Sequence, residues 1–379
     1  MTYLCAMAGI YIHVPFCKKK CSYCDFHFST TFATYRERML DTMQSELLLR
    51  KSELGDNSIE SIYFGGGTPS LLLSNELEAF LTRIHTNFNV LDTAEITLEA
   101  NPDDVTEANC TAWKSIGINR LSIGLQSFRE NDLTWMNRSH SALEAEQCVS
   151  IAQAAGFSNI SVDLIYGLPD LSLEEWDVHI ERVLGMGIQH LSAYCLTVEK
   201  KTTLHNLVSS GQLTPGGDEA QSAQFMHLTD RLTSHGFHHY EISNFGLPGL
   251  EAKHNSNYWK GVNYLGIGPS AHSYNGMERR WNVANNAKYM ADFGLNETWF
   301  EQEILTSKER WNELLMTGLR TSWGVNLQDL FQIAAPTKDF EDNLKGFEER
   351  KWLVKTDTHV ILTREGRLMA DYIASELFM

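Results

Sequence analysis

Three of the seven cysteines crowd into a short stretch near the start of the chain, where Cys17, Cys21 and Cys24 follow the spacing C-x3-C-x2-C. Thiolates are soft ligands that favour iron–sulfur clusters, zinc or copper(I). Phe26 and Phe28 occupy the nearby positions where a fourth cysteine would be expected. Three ligands on a 4Fe–4S cube leave one iron open, whereas electron-transfer clusters usually have four cysteines. The spacing therefore favours a 4Fe–4S cluster with one iron open to an external ligand.

A closed zinc site is the alternative interpretation of the triplet. His13 or His27 would then act as the fourth ligand and complete a Cys3His site. The remaining cysteines are scattered, and scattered cysteines are usually small buried hydrophobic side chains; they are Cys5, Cys110, Cys148 and Cys195. We expect no disulfide scaffold in a cytoplasmic chain of this length.

Six short apolar segments, each followed by a helical pattern, must position these side chains. They cover residues 9–14, 61–64, 95–99, 120–125, 160–165 and 190–196. Between them apolar residues recur three and four positions apart, as in 35–50 and 143–155, which indicates amphipathic helices. Strands that alternate with helices predict parallel βαβ units with right-handed crossovers. The sequence therefore predicts an α/β fold in which six units close a partial (β/α)6 barrel.

Polar or glycine-rich clusters follow nearly every predicted strand. They are the three cysteines, the loop 65–68, Glu99, Gln126, Asp163 and Thr197. In (β/α) barrels the C-terminal ends of the strands carry the ligand-binding and catalytic residues. Loop capping explains any one of these positions, but it does not explain the recurrence along the whole series. The pattern therefore predicts one shared site at that rim.

The barrel rhythm ends near residue 245, where an aromatic and glycine-rich stretch begins. A later capping-box pattern at Thr306 and Glu309 predicts the start of a helix that runs to residue 319. Further helices are predicted at 327–333, at 338–352 and from 364, with a hairpin at 354–362. Helices combined with a hairpin predict a small winged-helix-like α+β domain. We therefore expect a barrel domain at 1–303, with its barrel at about 8–245 and its extension at about 246–303, and a C-terminal domain at 304–379.

The composition bears on the partners and the compartment. The formal net charge is −17, and the largest basic cluster is 18–20. This balance disfavours nucleic acid or an anionic membrane as the main partner. No apolar run approaches the roughly 20 residues of a membrane span. The first residues lack the basic start and long apolar stretch of a signal peptide, so we expect a cytoplasmic protein without a membrane span.

The cysteine spacing, with Tyr23 just before the third cysteine, resembles that of the radical SAM superfamily. The string GGGTP at 65–69 follows the second predicted strand, where that superfamily has a glycine-rich loop. Glycines let backbone amides approach a ligand closely. The resemblance implies that this loop engages the amino group and carboxylate of S-adenosylmethionine, and that this cofactor binds the open iron of the cluster.

The whole chain is similar to the oxygen-independent coproporphyrinogen III oxidase family, beginning with the string YIHVPFC at 11–17. By this resemblance, the residues that match contacts to the cluster-bound S-adenosylmethionine are Tyr11, Gly66 and Glu99. The residues that match the adjoining space, where the oxidase holds a second S-adenosylmethionine, are Gly67, Thr68, Gln126, Arg138 and Asp163. Tyr23 and Thr197 complete this candidate cofactor-binding set. The residue types suit the task, since carboxylates bind ammonium and ribose hydroxyls while arginine can bind a carboxylate through two hydrogen bonds.

Three features separate the chain from the oxidase itself. Phe26 occupies the position of a further cysteine in the oxidase, and the chain starts almost directly at the first strand, without the oxidase's N-terminal extension. The strings YEISNF at 240–245, HNSNYW at 254–259 and GIGPSAH at 266–272 resemble a haem-chaperone subgroup of the same family. Members of this subgroup are understood to bind haem and deliver it to acceptor proteins.

The resemblance implies haem as a third cofactor, for which histidine is a common axial ligand. His254 and His272 are the candidate ligands, followed by the pair His238 and His239, which we expect to face solvent. The implied protein partners are a haem-accepting protein and a reductant such as flavodoxin or ferredoxin. The main alternative is the oxidase reaction, in which two propionates of coproporphyrinogen III are oxidatively decarboxylated to give protoporphyrinogen IX. A radical SAM enzyme with another substrate and a zinc-bearing binding module are further alternatives.

Overall fold

The computed structural model describes residues 7–379, so Cys5 lies outside the described residues. The strands are β1 (Met7–Val14), β2 (Ser58–Gly66), β3 (Val90–Ala100), β4 (Arg120–Gln126), β5 (Ile160–Tyr166), β6 (His190–Cys195), β7 (His238–Glu241), β8 (Asn244–Gly246), β9 (Asn263–Ile267), β10 (His272–Tyr274), β11 (Glu278–Asn282), β12 (Phe300–Ile304), β13 (Val325–Asn326), β14 (Leu353–Lys355) and β15 (His359–Leu362). The helices are α1 (Arg36–Leu49), α2 (Ser74–Asn87), α3 (Glu107–Ser115), α4 (Glu130–Trp135), α5 (Ala142–Ala154), α6 (Leu173–Gly185), α7 (Thr203–Ser209), α8 (Asp218–Ser234), α9 (Lys253–Trp259), α10 (Asn286–Asp292), α11 (Ser307–Leu319), α12 (Leu327–Ile333), α13 (Lys338–Glu349), α14 (Arg364–Arg367) and α15 (Ala370–Glu376).

Six parallel strands form the barrel, and they lie side by side in chain order from β1 to β6. Helices cross between consecutive strands, as the alternating pattern predicts. In β1 the side chains of Ile10, Ile12 and Val14 are fully buried in the main hydrophobic core. Strands that are covered on both faces carry such nearly continuous apolar runs. The predicted α/β fold with a partial (β/α)6 barrel is confirmed.

The sheet is wider than the sequence pattern predicted. It contains 12 strands in the order β12-β11-β10-β9-β1-β2-β3-β4-β5-β6-β8-β7. β9 pairs in parallel with β1, and β10, β11 and β12 continue that side as antiparallel strands. β8 and β7 extend the other side beyond β6. These added strands are short, so an alternation of apolar and polar residues is too brief in them to predict a strand.

A second hydrophobic core belongs to the C-terminal domain, which consists of α11 to α15 and the sheet β13-β15-β14. Thr306 caps α11 and Glu309 completes the predicted capping box. Trp311 is fully buried in this core, and its indole N–H donates a hydrogen bond to the carbonyl of Leu377 at 3.2 Å. The segment predicted as one final helix is divided into α14 and α15. Within residues 7–379, no helix is long and apolar enough to cross a membrane.

Candidate functional site

The three clustered cysteines lie on the loop between β1 and α1, at the C-terminal end of β1. Backbone hydrogen bonds close the base of this loop, from Cys17 N to Ser29 O at 3.1 Å and from Ser29 N to Pro15 O at 2.9 Å. A third bond, from Ser22 N to Met136 O at 3.0 Å, ties the loop to the segment after α4. The loop is therefore held over the C-terminal ends of the barrel strands, and it presents its cysteines there.

A cavity of about 470 Å³, here termed the rim cavity, opens at the C-terminal ends of β1 to β6. It brings together twelve of the residues that the sequence predicts for the cluster and for S-adenosylmethionine: Cys17, Cys21, Tyr23, Cys24, Gly66, Gly67, Thr68, Glu99, Gln126, Arg138, Asp163 and Thr197. These residues come from the six barrel strands or from the segments that follow them. Parallel strands bring such loops together at one edge of a barrel.

The donor set of the rim cavity fits an iron–sulfur cluster. The Thr68 hydroxyl donates to the Cys17 sulfur at 3.4 Å, and Arg138 Nη1 donates to the Cys21 sulfur at 3.4 Å. Burial raises the pKa of the Cys17 thiol to about 12 and that of Cys24 to about 11, while the charge of Arg138 acts in the opposite direction on both. Cationic metal centres deprotonate the thiols that coordinate them. A bound cluster would therefore offset the energetic cost of ionising these buried thiols.

The geometry disfavours a closed zinc site. His13 Nε2 lies 2.9 Å from the carbonyl oxygen of His27, and His13 Nδ1 lies 3.1 Å from the Tyr11 hydroxyl. His27 Nε2 lies 2.7 Å from Asn286 Oδ1. A tetrahedral zinc site needs its side chains to converge on one ion. No group of three or more His, Cys, Asp or Glu side chains in residues 7–379 converges in this way. The three thiolates of a 4Fe–4S cluster bind three different irons, so they need not converge on a single ion.

The glycine-rich loop lies directly beside the cysteine loop. Gly67 N donates to Val14 O at 2.8 Å, and Thr68 N donates to Phe16 O at 2.7 Å. Gly66 has a φ of +102°, and a Cβ atom there would lie 2.6 Å from the His13 ring. A Cβ atom on Gly67 would lie 2.6 Å from the carbonyl oxygen of Phe16. Neither position has room for a side chain, and the backbone conformation of Gly66 also favours glycine. These reasons for glycine hold whether or not a ligand is bound.

Two carboxylates on the wall of the rim cavity have raised pKa values. Burial raises the pKa of Glu99 to about 7, opposed by a hydrogen bond from Tyr63 and supported by the charge of Asp163. Burial also raises the pKa of Asp163 to about 6, although a hydrogen bond from Ser192 and the charge of Arg120 lower it. Carboxylates whose charge is poorly compensated favour a cationic ligand beside them. The methionyl ammonium and the sulfonium of S-adenosylmethionine have this character.

Arg138 connects the cysteine loop to the barrel strands. Its Nη2 donates to Asn101 Oδ1 and to Gly124 O, both at 2.8 Å. Its Nε is buried and has no hydrogen-bond partner among the described residues. A buried N–H without a partner is costly and marks a place where a ligand or water would bind. Arg138 is therefore positioned both to hold the loop and to face a ligand.

Two non-glycine residues at the rim have left-handed backbone conformations. Gln126 has a φ of +69°, and Asn137, which precedes Arg138, has a φ of +58°. The Asn137 side chain donates to the carbonyl of Lys20 in the cysteine loop at 2.8 Å. Such conformations cost energy and cluster at functional sites. Here they turn the chain so that Gln126 and Arg138 line the rim cavity.

Sequence reasoning missed several residues at this site. Asn101, Ser122, Tyr194 and Glu199 also line the rim cavity. Asn101 directly follows β3. A search for polar residues at the C-terminal ends of the strands, which predicts Glu99, would therefore also predict Asn101. Lys18, in the basic cluster at 18–20, donates from Nζ to Asp103 at 2.8 Å and also contacts Asp104. It therefore anchors the cysteine loop to the segment after β3.

A second cavity of about 920 Å³, here termed the interdomain cavity, lies between the barrel extension and α11 and α12 of the C-terminal domain. Its wall includes His272 and the aromatic side chains of Tyr258, Trp259, Tyr264 and Tyr274. Tyr11 lines this cavity, and it also lies close to Glu99 of the rim cavity, since a Cβ atom on Gly65 would be 2.9 Å from the Tyr11 ring and 3.1 Å from the Glu99 carboxylate. Asp25 and Phe26 line both cavities, which are therefore neighbours on either side of the cysteine loop.

The candidate haem ligands occupy different environments. His272 is exposed on the wall of the interdomain cavity. His254 is 2% exposed and lines neither cavity; its Nδ1 lies 2.9 Å from Ser61 Oγ and its Nε2 lies 2.9 Å from the Tyr258 hydroxyl. His238 is exposed and paired with Glu251, as expected. The expectation that His239 faces solvent is wrong, because His239 is buried and stacks on Phe245 with 4.1 Å between ring centroids.

Comparison with known proteins shows which family the chain belongs to. Residues 11–183 match the Radical SAM superfamily, and residues 305–369 match the HemN C-terminal domain. The chain is 32% identical to the Bacillus subtilis protein named Heme chaperone HemW, over 97% of this chain and 98% of that protein. It is 31% identical to Radical S-adenosyl methionine domain-containing protein 1, mitochondrial, from Danio rerio, over 98% of this chain and 87% of that protein.

The fold is also found in a solved structure, that of coproporphyrinogen III oxidase (HemN) from Escherichia coli. The two structures superpose with a TM-score of 0.84 at 20% sequence identity, over 100% of this chain and 91% of the other. This likeness concerns the fold alone. Because the identity to HemW extends over nearly the whole length of both chains, this protein belongs to the HemW family of radical SAM proteins.

Proposed function

We propose that this protein is a radical SAM haem chaperone, which holds a 4Fe–4S cluster with S-adenosylmethionine in the rim cavity and binds haem for transfer to an acceptor protein. The observation that carries the proposal is the presence of two neighbouring cavities with different chemistry. The rim cavity carries thiols, carboxylates and a glycine-rich loop, whereas the interdomain cavity is lined by tyrosine and tryptophan rings. The names of the HemW relatives point to haem as the ligand.

In the rim cavity, Cys17, Cys21 and Cys24 would ligate three irons of the cluster. When bound, the cluster supplies the single electron that cleaves the sulfonium of S-adenosylmethionine. The chain's own residues bind and orient that cofactor: Glu99 takes its ammonium group, and Arg138 faces a carboxylate through its guanidinium. The remaining rim residues line the nucleoside part of the space. The protein thereby supplies orientation and exclusion of water, while the chemistry belongs to the cofactor.

The rim cavity is less suited to the oxidase reaction. A substrate with four carboxylates needs several cations placed over it, and the cations on the described wall of the rim cavity are Lys19 and Arg138. Arg138 already donates to Asn101 and Gly124. Lys18 is bound to Asp103 and Asp104. These contacts support the chaperone over the oxidase.

The proposal extends to domain organisation and partners. We divide the chain into a barrel domain at 1–303 and a C-terminal domain at 304–379, each with its own hydrophobic core among the described residues. The interdomain cavity lies where the two meet. A haem-accepting protein and a reductant such as flavodoxin or ferredoxin are the proposed protein partners, on the basis of the resemblance.

One anaerobic preparation tests the proposal in three steps. The cluster is reconstituted, and iron and sulfide are quantified. S-adenosylmethionine is then added, and we expect it to perturb the electron paramagnetic resonance spectrum of the reduced cluster. Haem is finally titrated, and we expect a saturable Soret band that persists when S-adenosylmethionine is present, because the two ligands use different cavities. Mutual displacement of haem and S-adenosylmethionine at equimolar concentrations would contradict the two-cavity proposal.

A further inference from the structure

We propose that haem binds in the interdomain cavity, with His272 as a ligand of its iron and Arg310 as the partner of a propionate. This inference rests on the proposed function and deepens it, because it names the site and the two groups that recognise the ligand. The cavity volume of about 920 Å³ lies near the upper end of the range for small-molecule sites, which is roughly 300–1,000 Å³. It thus has room for a large planar cofactor.

One wall of the cavity is formed by side chains of β9, β10 and β11. Side chains alternate along β10, so that Ser273 is buried while His272 and Tyr274 emerge together on the other face. Their cross-strand partners continue the same face, since His272 is opposite Trp281 and Tyr274 is opposite both Arg279 and Tyr264. Opposite residues of an antiparallel pair lie on one face of the sheet. The result is a surface on which the imidazole of His272 lies beside aromatic rings, which suits a porphyrin.

His272 is available for metal ligation. Its ring stacks on Trp281 with 6.0 Å between centroids, and among residues 7–379 no group hydrogen-bonds to it. An imidazole nitrogen that the protein leaves without a partner can bind a metal. The ring nitrogens of His13, another histidine on this wall, are instead both engaged by other groups of the protein.

The opposite wall is one face of α11. Arg310, Glu313, Leu314 and Thr317 line the cavity at the spacing i, i+3, i+4 and i+7, which places them on one side of a helix. Leu314 and Met316 give this wall an apolar part.

The two arginines of the cavity differ in what they already bind. Arg279 is paired with Glu303 at 3.4 Å and with Glu313. Arg310 is half-buried, and none of the ion pairs within the described part of the chain includes it. The nearby carboxylate of Glu313 is paired with Arg279, so the charge of Arg310 is left to bind the carboxylate of a ligand. Haem supplies an apolar plane, an iron and two propionates, and thereby matches all three parts of the cavity.

The test uses the full chain with its cluster reconstituted anaerobically and haemin as the probe. We expect His272→Ala to shift the Soret maximum and to weaken haemin binding by about tenfold or more. His238→Ala is the matched control, because His238 is exposed at the far edge of the sheet, and it should bind as the wild type does. Cluster content and the response to S-adenosylmethionine report that each variant is folded.

Arg310 is tested by the dimethyl ester of haemin, which lacks the propionate charges. The wild type should bind haemin more tightly than the ester, and Arg310→Glu should abolish this preference. Lys308→Glu makes the same change of charge on an exposed residue of α11 outside the cavity and should retain the preference. If the wild type binds no haemin, the proposed function fails. If the wild type binds haemin while His272→Ala and Arg310→Glu leave its spectrum, affinity and ester preference unchanged, this site is wrong although the proposed function holds.

Discussion

The hydroxyl of Tyr63 donates a hydrogen bond to the carboxylate of Glu99 across neighbouring strands, with 2.7 Å between the two oxygens. The bond favours the ionised carboxylate, but burial acts more strongly and raises the pKa of Glu99 to about 7. The charge of Asp163, on the same cavity wall, raises this pKa further. Glu99 is therefore a carboxylate whose negative charge is stabilised best when a cation lies beside it.

The first prediction concerns the pH dependence of S-adenosylmethionine binding. Affinity should fall as the pH is lowered through about 7, because protonation removes the Glu99 charge that would hold the ammonium group. Glu99→Gln should weaken binding about tenfold or more at pH 8 and should flatten the pH profile. The measurement is the perturbation of the cluster spectrum by S-adenosylmethionine between pH 6 and 8.5. Equal affinity and an equal pH profile in both proteins would rule out this role of Glu99.

The second prediction concerns stability in the absence of S-adenosylmethionine. Because the folded pKa of Glu99 is raised from 4.5 to about 7, the folded protein binds more protons than the unfolded chain in this interval. The contribution of Glu99 to stability therefore decreases as the pH rises from 4.5 to about 7. Glu99→Gln should raise the free energy of unfolding at pH 8 by about 1–2 kcal/mol, a value reduced for the screening of a partly exposed group by water. Urea unfolding of both proteins at pH 5 and pH 8 is the check, and a variant less stable at pH 8 would refute the account.

The third prediction concerns the cluster ligands. Replacing Cys17, Cys21 or Cys24 by serine should abolish cluster assembly, because three ligands are already the minimum for an open-iron cube. Iron and sulfide content of each reconstituted variant is the measurement. Cys195→Ser is the closest control, since Cys195 also lines the rim cavity but belongs to β6. Cys5, Cys110 and Cys148 should likewise tolerate serine without loss of cluster. A triplet variant with full iron and sulfide content would disprove the assignment.

The fourth prediction separates His254 from the haem site. Both ring nitrogens of His254 are bound inside the protein, and its ring stacks on Tyr63 with 5.0 Å between centroids. His254→Ala should lower the free energy of unfolding by about 3–4 kcal/mol, because packing is lost, the buried Ser61 hydroxyl is left without its partner and the hydrogen bond to the half-buried Tyr258 hydroxyl is lost. The Soret maximum of bound haem should stay where it is in the wild type. A variant of unchanged stability whose Soret band is lost would instead make His254 a haem ligand.

The sequence predicts the six barrel strands because each contains a short, mostly buried segment rich in apolar residues, although polar residues such as Glu95 and Thr97 in β3 interrupt it. The rim residues can also be predicted, since the C-terminal ends of parallel strands must meet at one edge. The interdomain cavity cannot be predicted in this way, because α11 and the β9–β11 strands come together only through tertiary packing. The environment of His254 has the same origin, since Ser61 is 193 residues away along the chain.

Local patterns also left two details undetermined. Tyr11 belongs to β1, the strand that leads into the cysteine loop, but its side chain lines the interdomain cavity. The sequence predicts that glycine at position 66 lets the backbone approach a ligand, and the structure gives a second reason for glycine, because any side chain there would collide with His13. A substitution of Gly66 therefore disturbs the fold as well as the cofactor space. Glu99 is the better position at which to test S-adenosylmethionine binding.

We expect this protein to bind haem and not to act as a coproporphyrinogen oxidase. The decisive measurements are a haemin titration and an anaerobic incubation with coproporphyrinogen III, S-adenosylmethionine and a reductant, both on one cluster-loaded preparation. We expect a saturable Soret band at a stoichiometry of about one haem per chain, and no formation of protoporphyrinogen IX. Conversion of coproporphyrinogen III at many turnovers per chain, without saturable haem binding, would contradict this expectation.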